Sequence, residues 1–153
     1  MNRKIFMLKL ALMGGYKKAE YLRKKKYFKA QGEHCYLQPY NFGTEPNMIS
    51  LGNNVHIASQ VMFVNHDITA LMFQYMDQKH SYAARRGEIK IGNNVFIGAR
   101  STVLYDVAIG DNVIIGAGSL VNKDIPSGSV AAGVPCKVIG KFDEYQERMK
   151  NIL

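Results

Sequence analysis

The chain has 153 residues, a length that suits one domain and is sufficient to bury a real core. Its two cysteines, Cys35 and Cys136, are too few for a disulfide framework and suggest a reducing compartment. The formal charge of +8 invites a nucleic-acid partner, yet residues 1–30 hold ten Lys or Arg against one acid, Glu20, while the remaining residues hold ten basic and eleven acidic side chains. With the excess confined to one arm and the rest nearly neutral, a broad nucleic-acid face is excluded.

The chain opens with MNRKIFMLKLALMGGYKK, which has a basic start and apolar residues. Lys9 interrupts that run, no A-x-A-like site comes after it, and a membrane span needs about 20 apolar residues. The expectation is a cytoplasmic chain that does not span a membrane. Residues 1–31 read as a basic helical arm of one or two helices, broken near Gly14-Gly15. The cluster RKKKYFK, Arg23 to Lys29, with Ile5, Leu8 and Leu12 upstream, suits either a solvated capping helix or peripheral contact with anionic lipid at the inner face of the membrane.

From Leu51 the sequence divides into sixes, LGNNVH, IASQVM and FVNHDI, and again from Ile91 as IGNNVF, IGARST, VLYDVA, IGDNVI, IGAGSL and VNKDIP. A period of six is neither 2 nor 3.6, so neither a hairpin sheet nor an amphipathic helix explains it. It fits a solenoid in which equivalent side chains stack from coil to coil. Position one is a large aliphatic for the interior, and position five is smaller or β-branched because it shares that interior near a bend. The Asn-Asn and Asp-Asn pairs at positions three and four suit turns, since these residues tolerate left-handed backbone angles.

Between Ile68 and Glu88 the period disappears and then resumes cleanly, so residues 69–88 read as an inserted loop and not a second domain. His66 stands where that loop leaves the solenoid. Asp67 beside it either orients the imidazole, hydrogen-bonds an acceptor or simply forms a turn, and Asn65 reads as a turn residue. The four histidines are separated along the chain by 22, 10 and 14 residues, and no two lie close enough for a zinc ligand pair. No metal site is expected. Cys35 and Cys136 read as small buried side chains and not as nucleophiles.

The repeat [LIV]-G-x-x-[STAV]-x resembles the signature of the hexapeptide-repeat acyltransferase family, over roughly residues 32–141. By that resemblance the fold would be all-β, a left-handed parallel β-helix spanning 32–141, with the N-terminal helical arm at one end and a C-terminal capping helix, 142–153, at the other. The stretch FVNHD, Phe63 to Asp67, is similar to the catalytic motif of sugar O-acetyltransferases and xenobiotic acetyltransferases, which implies His66 as general base. A sugar hydroxyl is a poor nucleophile until its proton is removed, and imidazole can accept that proton. Backbone amides near 98–99 would stabilise the oxyanion.

In QPYNFGTE, Gln38 to Glu45, the resemblance marks Tyr40, Asn41 and Glu45 as acceptor-binding candidates, each with a plainer reading as packing, turn and solvated charge respectively. The distal IGAGSLVNKDIPSGSVAAGVPCKVIGK is similar to the family's coenzyme-A-binding end, which implies Ala99 and Ala117 against the pantetheine arm, Asn122 and Lys123 beside it, and Lys137 for the nucleotide phosphates. Where the family often carries a further Arg, this sequence has Gly140 and then Lys141. The implied protein is an acetyl-CoA-dependent O-acetyltransferase of a sugar or polysaccharide precursor, working as a homotrimer with a small-molecule or glycan acceptor and no nucleic acid. The alternatives are an acetyltransferase of amino sugars or xenobiotics, and a non-catalytic scaffold or basic-arm binding module.

Overall fold

Each hexad is too short for more than one strand and a bend, and the structure, a computed structural model describing residues 2–150, resolves it that way. Six short strands open the prism: β1 (Ala30–Gln31), β2 (Tyr36–Leu37), β3 (Ile49–Leu51), β4 (Val55–Ile57), β5 (Met62–Val64) and β6 (His66–Asp67). After an excursion come β7 (Arg85–Arg86), β8 (Ile89–Ile91), β9 (Val95–Ile97), β10 (Thr102–Leu104), β11 (Val107–Ile109), β12 (Val113–Ile115), β13 (Leu120–Val121), β14 (Ser129–Ala132) and β15 (Lys137–Lys141). Four helices are α1 (Arg3–Ala11), α2 (Gly15–Lys24), α3 (Thr69–Met76) and α4 (Phe142–Lys150).

Thirteen of the strands fall into three sheets that the chain visits in rotation, and β6 and β7 pair with each other apart from them. The first runs β1-β3-β8-β11, the second β2-β4-β9-β12-β14-β15, and the third β5-β10-β13. Pairing is parallel and in register, with Val55 opposite Val95 and Val95 opposite Val113, so each hexad position lies over the same position of the hexad in the next coil. Within these three sheets the exception is β15, which returns antiparallel to β14 with an irregularity at Val130 and Ala131.

The core is a product of the period. Position-one residues Ile91, Ile97, Val103, Ile109, Ile115 and Val121 are all buried, as are the position-five residues Val95, Val107, Val113 and Ile125. Each such aliphatic side chain contributes about 1.5–3 kcal/mol by leaving water. Where position five is Ser101 or Ser119 the buried hydroxyl donates to the Gly116 carbonyl, at 3.1 and 2.6 Å, so neither polar group is left unmet.

One corner is held by side chains. Asn54, Asn94 and Asn112 all adopt left-handed angles, φ 54–56°. They form a ladder in which Asn54 Nδ2 donates to Asn94 Oδ1 and Asn94 Nδ2 to Asn112 Oδ1, both at 2.9 Å. Glycine precedes these pairs for reasons of room: a Cβ on Gly52 would stand 2.5 Å from the Gly92 carbonyl oxygen of the next coil.

The arm closes one end of the prism. Asn2 caps α1 by accepting the Lys4 amide at 3.0 Å, and α2 starts after Gly14, with Gly15 so close to the Tyr36 ring that a Cβ would clash at 2.5 Å. Lys18, Ala19 and Leu22 of α2 are buried. The Lys18 ammonium donates to the Gln38 carbonyl at 2.6 Å, and burial holds its pKa below the ordinary lysine value. At the other end α4 forms as expected from its sequence, but none of its described side chains is buried, and residues 151–153 of the expected cap lie outside the described residues.

The inserted segment is not irregular throughout. It contains α3 and the strand β7, and only Ala70 of α3 is buried, although the helix reads TALMFQYM. Apolar composition without a periodic polar face left no helical signal there to read.

Candidate active site

The excursion leaves and rejoins the prism through one residue. The Asn65 carbonyl accepts the Gly87 amide at 2.9 Å, and its side-chain Nδ2 donates to the Gly87 carbonyl at 3.1 Å. Asn65 is 2% exposed, so these bonds are shielded from water and tie both ends of the insertion together. Beyond the tie, β6 and β7 pair antiparallel, placing His66 opposite Arg86 and Asp67 opposite Arg85.

His66 is half-buried, and its Nδ1 stands 2.9 Å from Glu45 Oε2. The same carboxylate oxygen accepts the Thr44 hydroxyl at 2.6 Å. The Thr44 hydroxyl first, and then His66, hold the Glu45 carboxyl below the ordinary glutamate range, against an opposing effect of burial. An ionised Glu45 therefore fixes the proton on Nδ1 and leaves Nε2 as the basic nitrogen.

Asp67 does not touch the imidazole. Its Oδ1 accepts the Thr69 amide at 2.7 Å at the start of α3, and its Oδ2 accepts the Tyr105 hydroxyl at 3.4 Å. Thr69 first, then Tyr105 and Arg85, depress its pKa. Glu45, marked as an acceptor-binding candidate, instead meets the histidine, while Asp67 takes the turn-forming one of its expected roles at the start of the helix. Nothing in the sequence signals the Glu45 contact, because Glu45 lies in the stretch before Leu51 where the period is weak.

Tyr40 and Asn41 line a trough of about 380 Å³ that runs beside β5, with Gly43 and Val64 at its far end. Tyr40 is 52% exposed and so is not a packing residue. Asn41 Oδ1 accepts the Gly43 amide at 3.1 Å, making a side-chain-closed turn that shapes the trough wall. The trough shares Ser59 and Gln60 with an open groove of about 660 Å³, whose other lining residues are Ala99, Arg100, Ala117 and Gly118.

That groove brings Ala99 and Ala117 together at the corner between the second and third sheets. Their short side chains leave space for a linear ligand, and Arg100 supplies a cation for a polyanionic one. Arg100 was missed in the sequence. Its signal is the hexad position it occupies, a left-handed turn at φ 61° that Gln60 and Gly118 fill in the adjoining coils, with its Nε donating to Gln60 Oε1 at 2.9 Å. The Gly98 amide is spent on the Ile115 carbonyl at 2.8 Å, which removes it as an oxyanion donor and leaves Ala99 of the two amides considered.

Asn122 and Lys123 are exposed beyond β13, and Lys137 is exposed at the start of β15. None of the three lines the groove or the trough. Lys141 lies 3.8 Å from Glu144, an exposed pair. Gln60 precedes β5 and His66 comes after it, so groove and histidine stand toward opposite ends of that strand, at most about 20 Å apart at ~3.3 Å per residue.

Three comparisons bear on this arrangement. Residues 88–123 match the model of the bacterial transferase hexapeptide family, described as six repeats. Protein CapG of Staphylococcus aureus is 43% identical over 108 residues, which is 71% of this chain, and the chain spans only 61% of the length of CapG. A galactoside acetyltransferase solved in complex with coenzyme A is 30% identical, with a TM-score of 0.62 over 94% of this chain and 80% of that one. A maltose O-acetyltransferase from Clostridium difficile 630 is 27% identical, with a TM-score of 0.59 over 90% of this chain and 83% of that one.

Proposed function

We propose, from the premise that this chain belongs to the hexapeptide-repeat acyltransferase family, that it is an acetyl-CoA-dependent O-acetyltransferase acting on a hydroxyl of a sugar or polysaccharide precursor. The single observation that carries the reading is the His66–Glu45 pair at 2.9 Å, each residue two positions along the chain from the trough-lining Val64 and Gly43, in a trough that shares Ser59 and Gln60 with the Ala99–Ala117 groove. A left-handed winding of the prism belongs to the same reading and is supported by the family.

Acetyl-CoA, when bound, would supply an acyl group activated as a thioester. The chain's own residues have separate tasks. His66 Nε2 takes the proton from the acceptor hydroxyl as it attacks the thioester carbonyl and gives it to the coenzyme A thiolate that leaves as the C–S bond breaks. The Glu45 carboxylate accepts from Nδ1–H and steadies the imidazolium in between. The Ala99 amide donates to the oxyanion, and Arg100, Lys123 and Lys137 offer cations toward the donor's phosphates. Tyr40 and Asn41 line the path of the acceptor.

The span between groove and histidine implies a homotrimer in which the groove of one copy faces His66 of the next. Met62 of β5 and Phe96 of β9, exposed at 57% and 44%, support such a strand-faced contact. The test is thiol release from acetyl-CoA with a panel of sugars. His66→Ala is expected to lower kcat/KM by about 10²–10⁴-fold. Ala117→Trp, which fills the groove, should be inactive too, and co-assembly of the two variants should restore part of the activity. Equal turnover by wild type and His66→Ala removes His66 as the base. If co-assembly restores nothing while His66→Ala is inactive, the donor reaches His66 along the trough of its own chain.

A further inference from the structure

Helix α1 is apolar on two sides. Inward, Leu10 is fully buried, while Phe6 lies 5.5 Å from Tyr27 and 6.3 Å from Tyr21 between ring centroids. Outward, Ile5, Leu8 and Leu12 are spaced i, i+3 and i+7 and so share one stripe, yet they are 60%, 62% and 81% exposed. At 3.6 residues per turn Lys9 falls about 40° to one side of Ile5, and Lys4 about 100° to the other.

The charge around this stripe is unbalanced. Lys18 is buried, Arg23 and Lys24 pair with Glu20, and Lys29 pairs with Glu88. Arg3, Lys4, Lys9, Lys17, Lys25 and Lys26 are exposed and, among the described residues, form no ion pair.

An occupant must satisfy both features. A second copy of the arm sets like charge against like, and the rest of the chain, with eleven acidic and ten basic residues, offers no compensating acidic face. A nucleic acid would neutralise the lysines but leave the aliphatic stripe in water. An anionic lipid surface takes the stripe into its acyl boundary and the cations among its headgroups. We propose that α1 seats this protein on an anionic membrane surface.

The placement gives that seat a consequence. Arg3, Phe6 and Met7 of α1 line a pocket of about 330 Å³ together with Tyr27, Gly43, Thr44 and Pro46, the last two of which bracket Glu45. The rings Phe6, Tyr27, Phe42 and Phe63 continue this contact into the prism, with successive centroids 5.5, 6.1 and 6.2 Å apart. The lipid-facing helix therefore lies at the acceptor side of the molecule. No helix among the described residues is long and apolar enough to cross a membrane, so the contact is peripheral.

The experiment is co-sedimentation of the full chain with vesicles of phosphatidylcholine, with and without phosphatidylglycerol. Binding is expected to the anionic vesicles, at least about tenfold weaker to the neutral ones, and weakened by salt. The variant I5S/L8S/L12S should lose about tenfold or more in vesicle affinity with an unchanged melting temperature, and K4Q/K9Q should weaken binding and its salt dependence. No binding at low salt overturns the proposal. So does retention of vesicle affinity by I5S/L8S/L12S, or a change in its oligomeric state without vesicle binding by the wild type, which would assign the stripe to a contact between copies. RNA binding that is tighter than vesicle binding and indifferent to the serine substitutions would assign the arm to nucleic acid. These readouts do not depend on acetyl transfer, so they stand or fall separately from the enzymatic reading.

Discussion

The coils from Ile91 to Pro126 and the insertion from Asn65 to Glu88 obey different rules. In the coils the interactions have copies one coil away: Asn93 Oδ1 accepts the Asn53 amide at 2.8 Å, and Asp111 Oδ1 accepts the Asn93 amide at 2.6 Å. In the insertion each interaction occurs once, as in His66 with Glu45, Asp67 with Thr69 and Asn65 with Gly87. Repetition distributes stability over many equivalent contacts, so no single one defines a site. The unrepeated contacts hold side chains in positions that the repeat would not produce, and these are the positions suited to chemistry.

Substitutions can separate the two regions. The largest effect on folding is expected from Ile109→Ala, which removes a buried side chain of β11 in the first sheet, away from the corner that forms the groove. It should cost about 2–5 kcal/mol in denaturant titration, with turnover per folded molecule unchanged. A loss of turnover at full folding would mean that coil and site are not energetically separate. Glu45→Gln should do the reverse: it keeps the shape but removes a charge-assisted bond of about 1.5–3 kcal/mol, so kcat falls by roughly tenfold or more while the melting temperature hardly moves. A melting temperature that falls with kcat unaltered would make Glu45 a structural residue only.

Thr44→Val is the smallest and most specific of the changes. The depressed Glu45 carboxyl stays ionised, and its bond to His66 is retained, until the pH falls through that lowered value. Without the Thr44 hydroxyl, the largest cause of the depression, Glu45 takes up its proton at a higher pH. The acid limb of the kcat profile should therefore move upward. A downward move, or none with His66 still required, would show that Thr44 does not act through Glu45.

Much of the architecture was legible because stacking is a one-dimensional constraint. Ile91, Ile97 and Ile109 recur at a spacing that only an interior position explains, and Asn54, Asn94 and Asn112 take the left-handed angles for which Asn is suited. Ala99 and Ala117, grouped by resemblance, hold the same hexad position one coil apart, and both line one groove. Asn122 and Lys123, in the last hexad, and Lys137, which opens the antiparallel β15, were also singled out by resemblance and lie outside that groove.

The sequence by itself determined the coils, the break at His66 and the basic character of the arm, because each is a matter of period or of charge along the chain. Tertiary structure decided which carboxylate meets the imidazole, that Asp67 starts a helix, that Arg100 borders the groove, and which face of α1 stays uncovered. The physical reason is range. A stacking period is written in neighbours six residues apart, whereas Glu45 lies before the period begins and reaches His66 across a separation of 21 residues, which is no multiple of six, and only the path of the folded backbone brings them within 2.9 Å.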